Sequence, residues 1–209
     1  MAAPRRVAFL LFDQVEVLDF AGPFEAFGVT GWSRPPLPFD VYTVAQSRHP
    51  VLARNNLSIN PDYDFASCPV PDVFVVPGGP GTRREMHNAS LIDFVVQNVA
   101  VCEHVLSVCT GALLLAKAGQ LDGLEATTHK GALDELRAMA PKTTIRPDAR
   151  GVDNGKIVLS TGVSAGTDMA IYLISRLLGL DTAIETADFM QYDWRYREAD
   201  GNAVIRNAA

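Results

Sequence analysis

Three runs in this chain are apolar without alternation: residues 6–12 (RVAFLLF), 72–76 (DVFVV) and 156–160 (KIVLS). Each is strand length, and a strand that is apolar on both sides needs a covering layer on both. Segments with helical spacing lie between them. Residues 19–29 (DFAGPFEAFGV) read as a turn followed by a helix, with Pro23 at a first helical position and Phe24 and Phe27 on its apolar side. Residues 90–100 read as a helix capped by Ser90. Residues 110–118, 131–139 and 165–178 also read as helices, the first closed by Gly119 and the last by Gly179. Residues 39–45 and 104–108 supply two more strands, and 57–60 fit a short hairpin. Strands alternating with helices predict an α/β fold. The expected form is a three-layer α/β/α sandwich with a mainly parallel central sheet, in one domain over residues 1–209. The segment from Tyr192 is polar and is expected to run over the surface.

Composition removes several function classes. A net charge of −6 is unsuited to a phosphate backbone, so nucleic acid is not an expected partner. Three cysteines without framework spacing fit a reduced, cytoplasmic protein. The apolar run after Arg5 and Arg6 reaches Asp13 too soon for a signal segment, and no run is long enough to span a bilayer. No His, Cys or Asp grouping has metal-ligand spacing, and no loop fits a nucleotide fingerprint, so no metal or cofactor is expected.

In a parallel sheet, ligands bind beyond the carboxyl ends of the strands. Three turns therefore matter: residues 13–19, the Pro77–Gly81 loop (PGGPG) and the SVCTG turn around Cys109. Cys109 ends a strand and opens a helix. Such an elbow exposes a side chain, and the helix start is expected to make this the most acidic thiol. The alternative is a buried, inert cysteine. Cys68 and Cys102 have no such turn and read as packing residues. Gly78 and Gly79 offer bare backbone N–H groups for an oxyanion, or simply form a tight turn. Asp19 is either a helix cap or an acid beside the thiol, with Glu16 as a rival at the same strand end. His129 is either a general base or a hydrogen-bonded histidine that orients its turn.

The pieces FLLFDQVEVLDFAGPFEAF, VFVVPGGPGTR, SVCTGALLLAKAGQLDGLEATTH and STGVSAGTDMAIYLI, in that order, resemble the DJ-1/PfpI superfamily within the class I glutamine-amidotransferase-like fold. Leu18, Asp19, Gly22 and Pro23, taken with Cys109–Thr110–Gly111, are most similar to its isonitrile hydratase branch, and also resemble the N-terminal domain of some AraC-type regulators. The resemblance implies a flavodoxin-like or DJ-1-like fold and a cysteine nucleophile at Cys109. It implies proton handling by Asp19, and substrate contacts from Gly78, Gly79 and Thr110. His129 and Glu16 stand behind these as possible supporting residues. The implied partners are a small-molecule substrate and a second copy of the chain in a homodimer. The implied reaction is hydration of an isonitrile to an N-substituted formamide. A glyoxalase-like or deglycase-like activity is the enzymatic alternative, disfavoured by Asp19 where the family more often has Glu. A non-enzymatic sensor working through Cys109 oxidation is the other alternative.

Overall fold

The computed structural model describes residues 3–194 together with 205–206. In chain order the elements are β1 (Arg5–Leu10), α1 (Val17–Val29), β2 (Phe39–Ala45), β3 (Val51–Leu52), β4 (Ser58–Ile59), β5 (Tyr63–Asp64) and β6 (Val73–Val76). Then come α2 (Thr82–Glu85), α3 (Ala89–Val101), β7 (His104–Val108), α4 (Gly111–Lys117), β8 (Glu125–Ala126) and α5 (Leu133–Met139). The last are β9 (Thr144–Ile145), β10 (Gly151–Asp153), β11 (Ile157–Ser160), α6 (Ala165–Leu178), α7 (Leu180–Phe189) and β12 (Ile205–Arg206).

The central sheet runs β12-β10-β11-β7-β6-β1-β2-β5. Every pairing in it is parallel except β10 with β11. The three non-alternating runs lie inside this sheet: Val7–Leu10, Val73–Val76 and Val158–Leu159 are fully buried. From β1 the chain crosses to β2 on one side, and β6 later joins β1 on the other. Loops leaving the ends of β1 and β6 therefore diverge and open a crevice between them, where open α/β sheets hold ligands. Residues 11–16 and the Pro77–Gly81 loop border it.

Four phenylalanines seat α1 on the sheet. Phe9 of β1 meets Phe24 at a centroid distance of 5.2 Å, and Phe27 meets Phe39 of β2 edge-on at 5.0 Å. Each such pair contributes about 1 kcal/mol beyond area burial. On its other side α1 packs against α6. A Cβ on Gly22 would lie 2.2 Å from Thr167 Oγ1, and one on Gly166 would lie 2.7 Å from Val108 Cγ1. Glycine is required at both because the backbones approach too closely for a side chain.

Local boundaries differ from the sequence reading in three instructive ways. Helix α1 starts at Val17, so Pro23 lies inside it and not at its first position. The proline has no N–H for the carbonyl four residues back, which belongs to Asp19. Helix α3 is capped by Asn88, whose side chain accepts from Leu91 N at 3.4 Å, and not by Ser90. Helix α7 follows directly on Gly179 (φ 94°) and escapes pattern reading because its buried residues are the small Ala183, Thr186 and Ala187. The expected surface course from Tyr192 is replaced at its start by packing. Tyr192 OH donates to Asp168 Oδ1 at 3.1 Å, and Trp194 Nε1 donates to the Asp168 carbonyl at 3.2 Å. Beyond Trp194 that expectation falls outside the described residues, except for β12.

Candidate active site

Cys109 sits between β7 and α4 with φ at 55°, a left-handed conformation that costs a non-glycine residue on the order of 1 kcal/mol or more. Backbone bonds hold it there. Its N–H donates to the carbonyls of Thr161 (2.9 Å) and Ser160 (3.3 Å), and its own carbonyl accepts from Thr128 Oγ1 at 2.7 Å. The next turn is pressed against β6: a Cβ on Gly111 would lie 2.1 Å from the Val76 carbonyl oxygen. The sulfur is directed into the protein, and Cys109 is 6% exposed. Backbone N–H groups of Thr110 and Val163 hydrogen-bond to it and favour its ionised form.

Asp19 faces this thiol from the first turn of α1 and is fully buried. Its Oδ2 accepts from Gly78 N at 3.0 Å. Its Oδ1 has no hydrogen-bond partner among polar N and O groups. Burial raises the carboxyl from an ordinary 3.8 to about 7; the Gly78 N–H and the thiol contact lower it, and the Glu16 charge raises it. Burial first, and then the Asp19 charge, push the Cys109 thiol up to about 12. The expectation of an acidified thiol is therefore corrected. The helix start and two N–H groups are outweighed by desolvation and by a carboxylate in contact. Groups this close titrate together. The pair loses one proton near pH 7 and keeps the other to near 12, so one proton is shared across the neutral range.

The glycine loop serves this pair in a different manner from the one expected. The Gly78 N–H is committed to Asp19, and the Gly79 N–H donates to Thr110 Oγ1 at 2.9 Å. Both are already engaged, so the expected role as open donors to a substrate is replaced by one of holding Asp19 and Thr110. A Cβ on Gly78 would lie 2.4 Å from Thr110 N and 2.9 Å from Asp19 Oδ2. Gly79 adopts φ 127° and passes so near Glu16 N that its Cβ would lie at 2.4 Å. Thr82 Oγ1 donates to the Gly79 carbonyl at 2.8 Å and completes the network.

Glu16 caps α1 without a side-chain cap bond, because its carboxylate is paired with Arg54 Nη1 at 2.6 Å. His129 is brought near the site but makes no bond to Cys109 or Asp19. Its Nδ1 accepts from Gly131 N at 3.2 Å, and its ring lies against Gly162, where a Cβ would be 2.8 Å from Cδ2. Cys68 and Cys102 lie away from the pair. Burial raises both thiols, that of Cys102 to about 11. Among the described residues no group of three or more His, Cys, Asp or Glu is placed to hold a metal ion, and no helix is long and apolar enough to cross a membrane.

Two participants were invisible to pattern reading. Val163 contributes a backbone N–H, which any residue type could supply. Its only signal is that β11 pairs with β7, which sets loop 161–164 beside the SVCTG turn. Arg54 lies in a turn with no motif of its own.

Comparison with known proteins gives a consistent family and a divided set of activities. The DJ-1/PfpI family model matches residues 5–176. An isonitrile hydratase of Pseudomonas putida is 37% identical over 178 residues, which cover 85% of this chain and 74% of that protein. A crystal structure of a ThiJ/PfpI family protein from Pseudomonas syringae superposes with a TM-score of 0.83 at 30% identity, covering 91% of this chain and 76% of the other. The HTH-type transcriptional regulator GbdR of Pseudomonas aeruginosa is 25% identical over 96% of this chain, which spans 54% of the regulator's length.

Proposed function

Because the chain belongs to the DJ-1/PfpI family, we propose that Cys109 and Asp19 form the reacting pair of a hydratase that converts a small isonitrile to an N-substituted formamide. The observation that carries this reading is the buried Asp19 carboxyl, one oxygen held by Gly78 and the other without a polar partner, in contact with the thiol. A terminal isonitrile carbon needs a nucleophile and a proton at the same atom. In the first step the Cys109 sulfur bonds to that carbon, and the shared proton passes through Asp19 to the carbon, giving a covalent thioimidate. The Thr110 and Val163 N–H groups stabilise the sulfur as it ionises. In the second step Asp19, now a carboxylate, takes a proton from water as the oxygen adds to the same carbon. As the carbon–sulfur bond breaks, the remaining water proton passes from oxygen to nitrogen, Asp19 returns the proton it took to the sulfur, and the N-substituted formamide leaves. Water is the only co-reactant and no electrons are transferred.

Similarity to the hydratase of Pseudomonas putida supports this reading. The homodimer implied by the family resemblance and the cytoplasmic location read from the cysteine usage belong to it. The test is formamide production on a panel of small isonitriles, with wild type and Cys109→Ala side by side. Turnover by wild type and none by Cys109→Ala is the expected result. Turnover of methylglyoxal with no isonitrile hydrated would replace it by the dicarbonyl activity. A second reading, a ligand-sensing module, draws on the match to GbdR across nearly the whole chain.

A further inference from the structure

The β3–β4 hairpin is attached to the residues that lead into α1. Gln14 N donates to the Leu52 carbonyl at 2.7 Å, Leu52 N to Asp13 Oδ1 at 2.8 Å and Arg54 N to the Val15 carbonyl at 2.9 Å. Its tip carries two left-handed residues, Asn55 (φ 62°) and Asn56 (φ 63°), which turn the chain sharply just after Arg54. Ala53 beneath is fully buried. The result is an arginine whose backbone is fixed against residue 15 and whose guanidinium is fixed on residue 16 at 2.6 Å.

Glu16 leads inward from there. Its N–H donates to the Gly78 carbonyl at 2.9 Å, and the N–H of the same glycine holds Asp19 Oδ2. Glu16 and Asp19 are three residues apart at the start of one helix, so they lie on one side of it. Glu16 acts on Asp19 through its charge and Cys109 through a hydrogen bond, while the charges acting on Arg54 are those of Glu16 and Cys109. Glu16 and the thiol therefore lie within reach of a single cation, and Glu16 carries its effect to Asp19.

We propose that Arg54 is a positioning residue for the reacting pair: through its ion pair with Glu16 it keeps Asp19 and Cys109 in the singly protonated, reactive form at neutral pH. The inference rests on Cys109 and Asp19 being that pair, and not on the identity of the substrate. With Arg54 in place, the negative charge of Glu16 is offset in part, and a net negative charge on the pair is tolerated. Without Arg54, Glu16 acts on Asp19 uncompensated, and the pair holds its second proton to higher pH. Without Glu16, the cation acts on the pair alone, and the second proton leaves at lower pH.

The test is the titration of the Asp19 carboxyl, followed by its side-chain 13C chemical shift from pH 5 to 9.5. It needs no substrate, so its failure is distinguishable from failure of the hydratase reading. Wild type is expected to show a midpoint near 7. Arg54→Gln should move the midpoint up by about half a unit or more, and Glu16→Gln should move it down by a similar amount. The double variant should return close to wild type, and Arg54→Lys should restore most of the Arg54→Gln shift. General disorder of the loop would move the midpoint of both single variants the same way and could not produce shifts of opposite sign. Midpoints unchanged in both single variants, shifts in the same direction, or no titration of Asp19 in wild type across this range would each overturn the proposal.

Discussion

Replacing Asp19 by Asn should change how the stability of the protein depends on pH, by an amount set by its burial. The carboxyl is fully buried and is raised from 3.8 to about 7, a difference that corresponds to about 4 kcal/mol. Below pH 3.8 the acid is protonated in both the folded and the unfolded chain, and its ionisation contributes nothing to the difference between the two. Between there and pH 7 the unfolded chain has released this proton while the folded chain retains it. Wild-type stability should therefore fall relative to Asp19→Asn by about 1.4 kcal/mol per pH unit over this window. Above pH 7 the difference becomes constant. Cys109 keeps its proton throughout the window and adds no slope. The Asn amide can still accept from the Gly78 N–H. Any unsatisfied N–H it buries costs about 1–3 kcal/mol at every pH, so it moves the curve without tilting it. Urea unfolding of the two proteins at half-unit steps from pH 4.5 to 8 measures the tilt directly. Parallel curves would refute the reasoning, because a carboxyl titrating near its ordinary value produces no tilt in this range.

Two further outcomes are expected. Gly78→Ala should lose about 2 kcal/mol or more of stability in urea and all formamide production, since its Cβ would strike Thr110 N and Asp19 Oδ2; an unaffected variant would mean that the loop is not pressed against the pair. His129→Ala should retain activity to within about tenfold, because His129 Nδ1 is spent on Gly131 and the proton transfers fall to Asp19; a loss as complete as that of Cys109→Ala would make the histidine part of the chemistry.

The layers of this fold can be read from the three non-alternating strands, since only a doubly covered sheet accommodates them. Helix α6 and strands β2 and β7 have the predicted bounds because their periods are unbroken. The elbow at Cys109 was legible because it stands at a strand end beside glycine, and the acid at Asp19 because it opens a helix that carries Gly22 and Pro23. The proton balance of the pair was not. A helix start beside a cysteine suggests an acidic thiol, but desolvation and a contacting carboxylate are tertiary quantities that no local pattern contains. Gly78 and Gly79 illustrate the same limit. Two bare N–H groups in a loop read as donors, and only the fold shows that Asp19 and Thr110 have already taken them. Short elements with small or few residues, such as α7 and β10, carry too little periodicity to register.

The seam between α1 and α6 has a mechanical consequence. At Gly22 and Gly166 there is no space to be taken up, so neither helix can slide without driving one backbone into the other's side chains. Asp19 rides one turn ahead of Gly22. Val163 stands two residues before α6, and Val108, against which Gly166 rests, immediately precedes Cys109. The acid, the sulfur and the amide that faces the sulfur are thus registered to one another by direct contact, like parts sharing a single datum. Breathing of the sheet would carry all three together. The distances on which proton sharing depends would then vary only with the small, fast excursions of side chains.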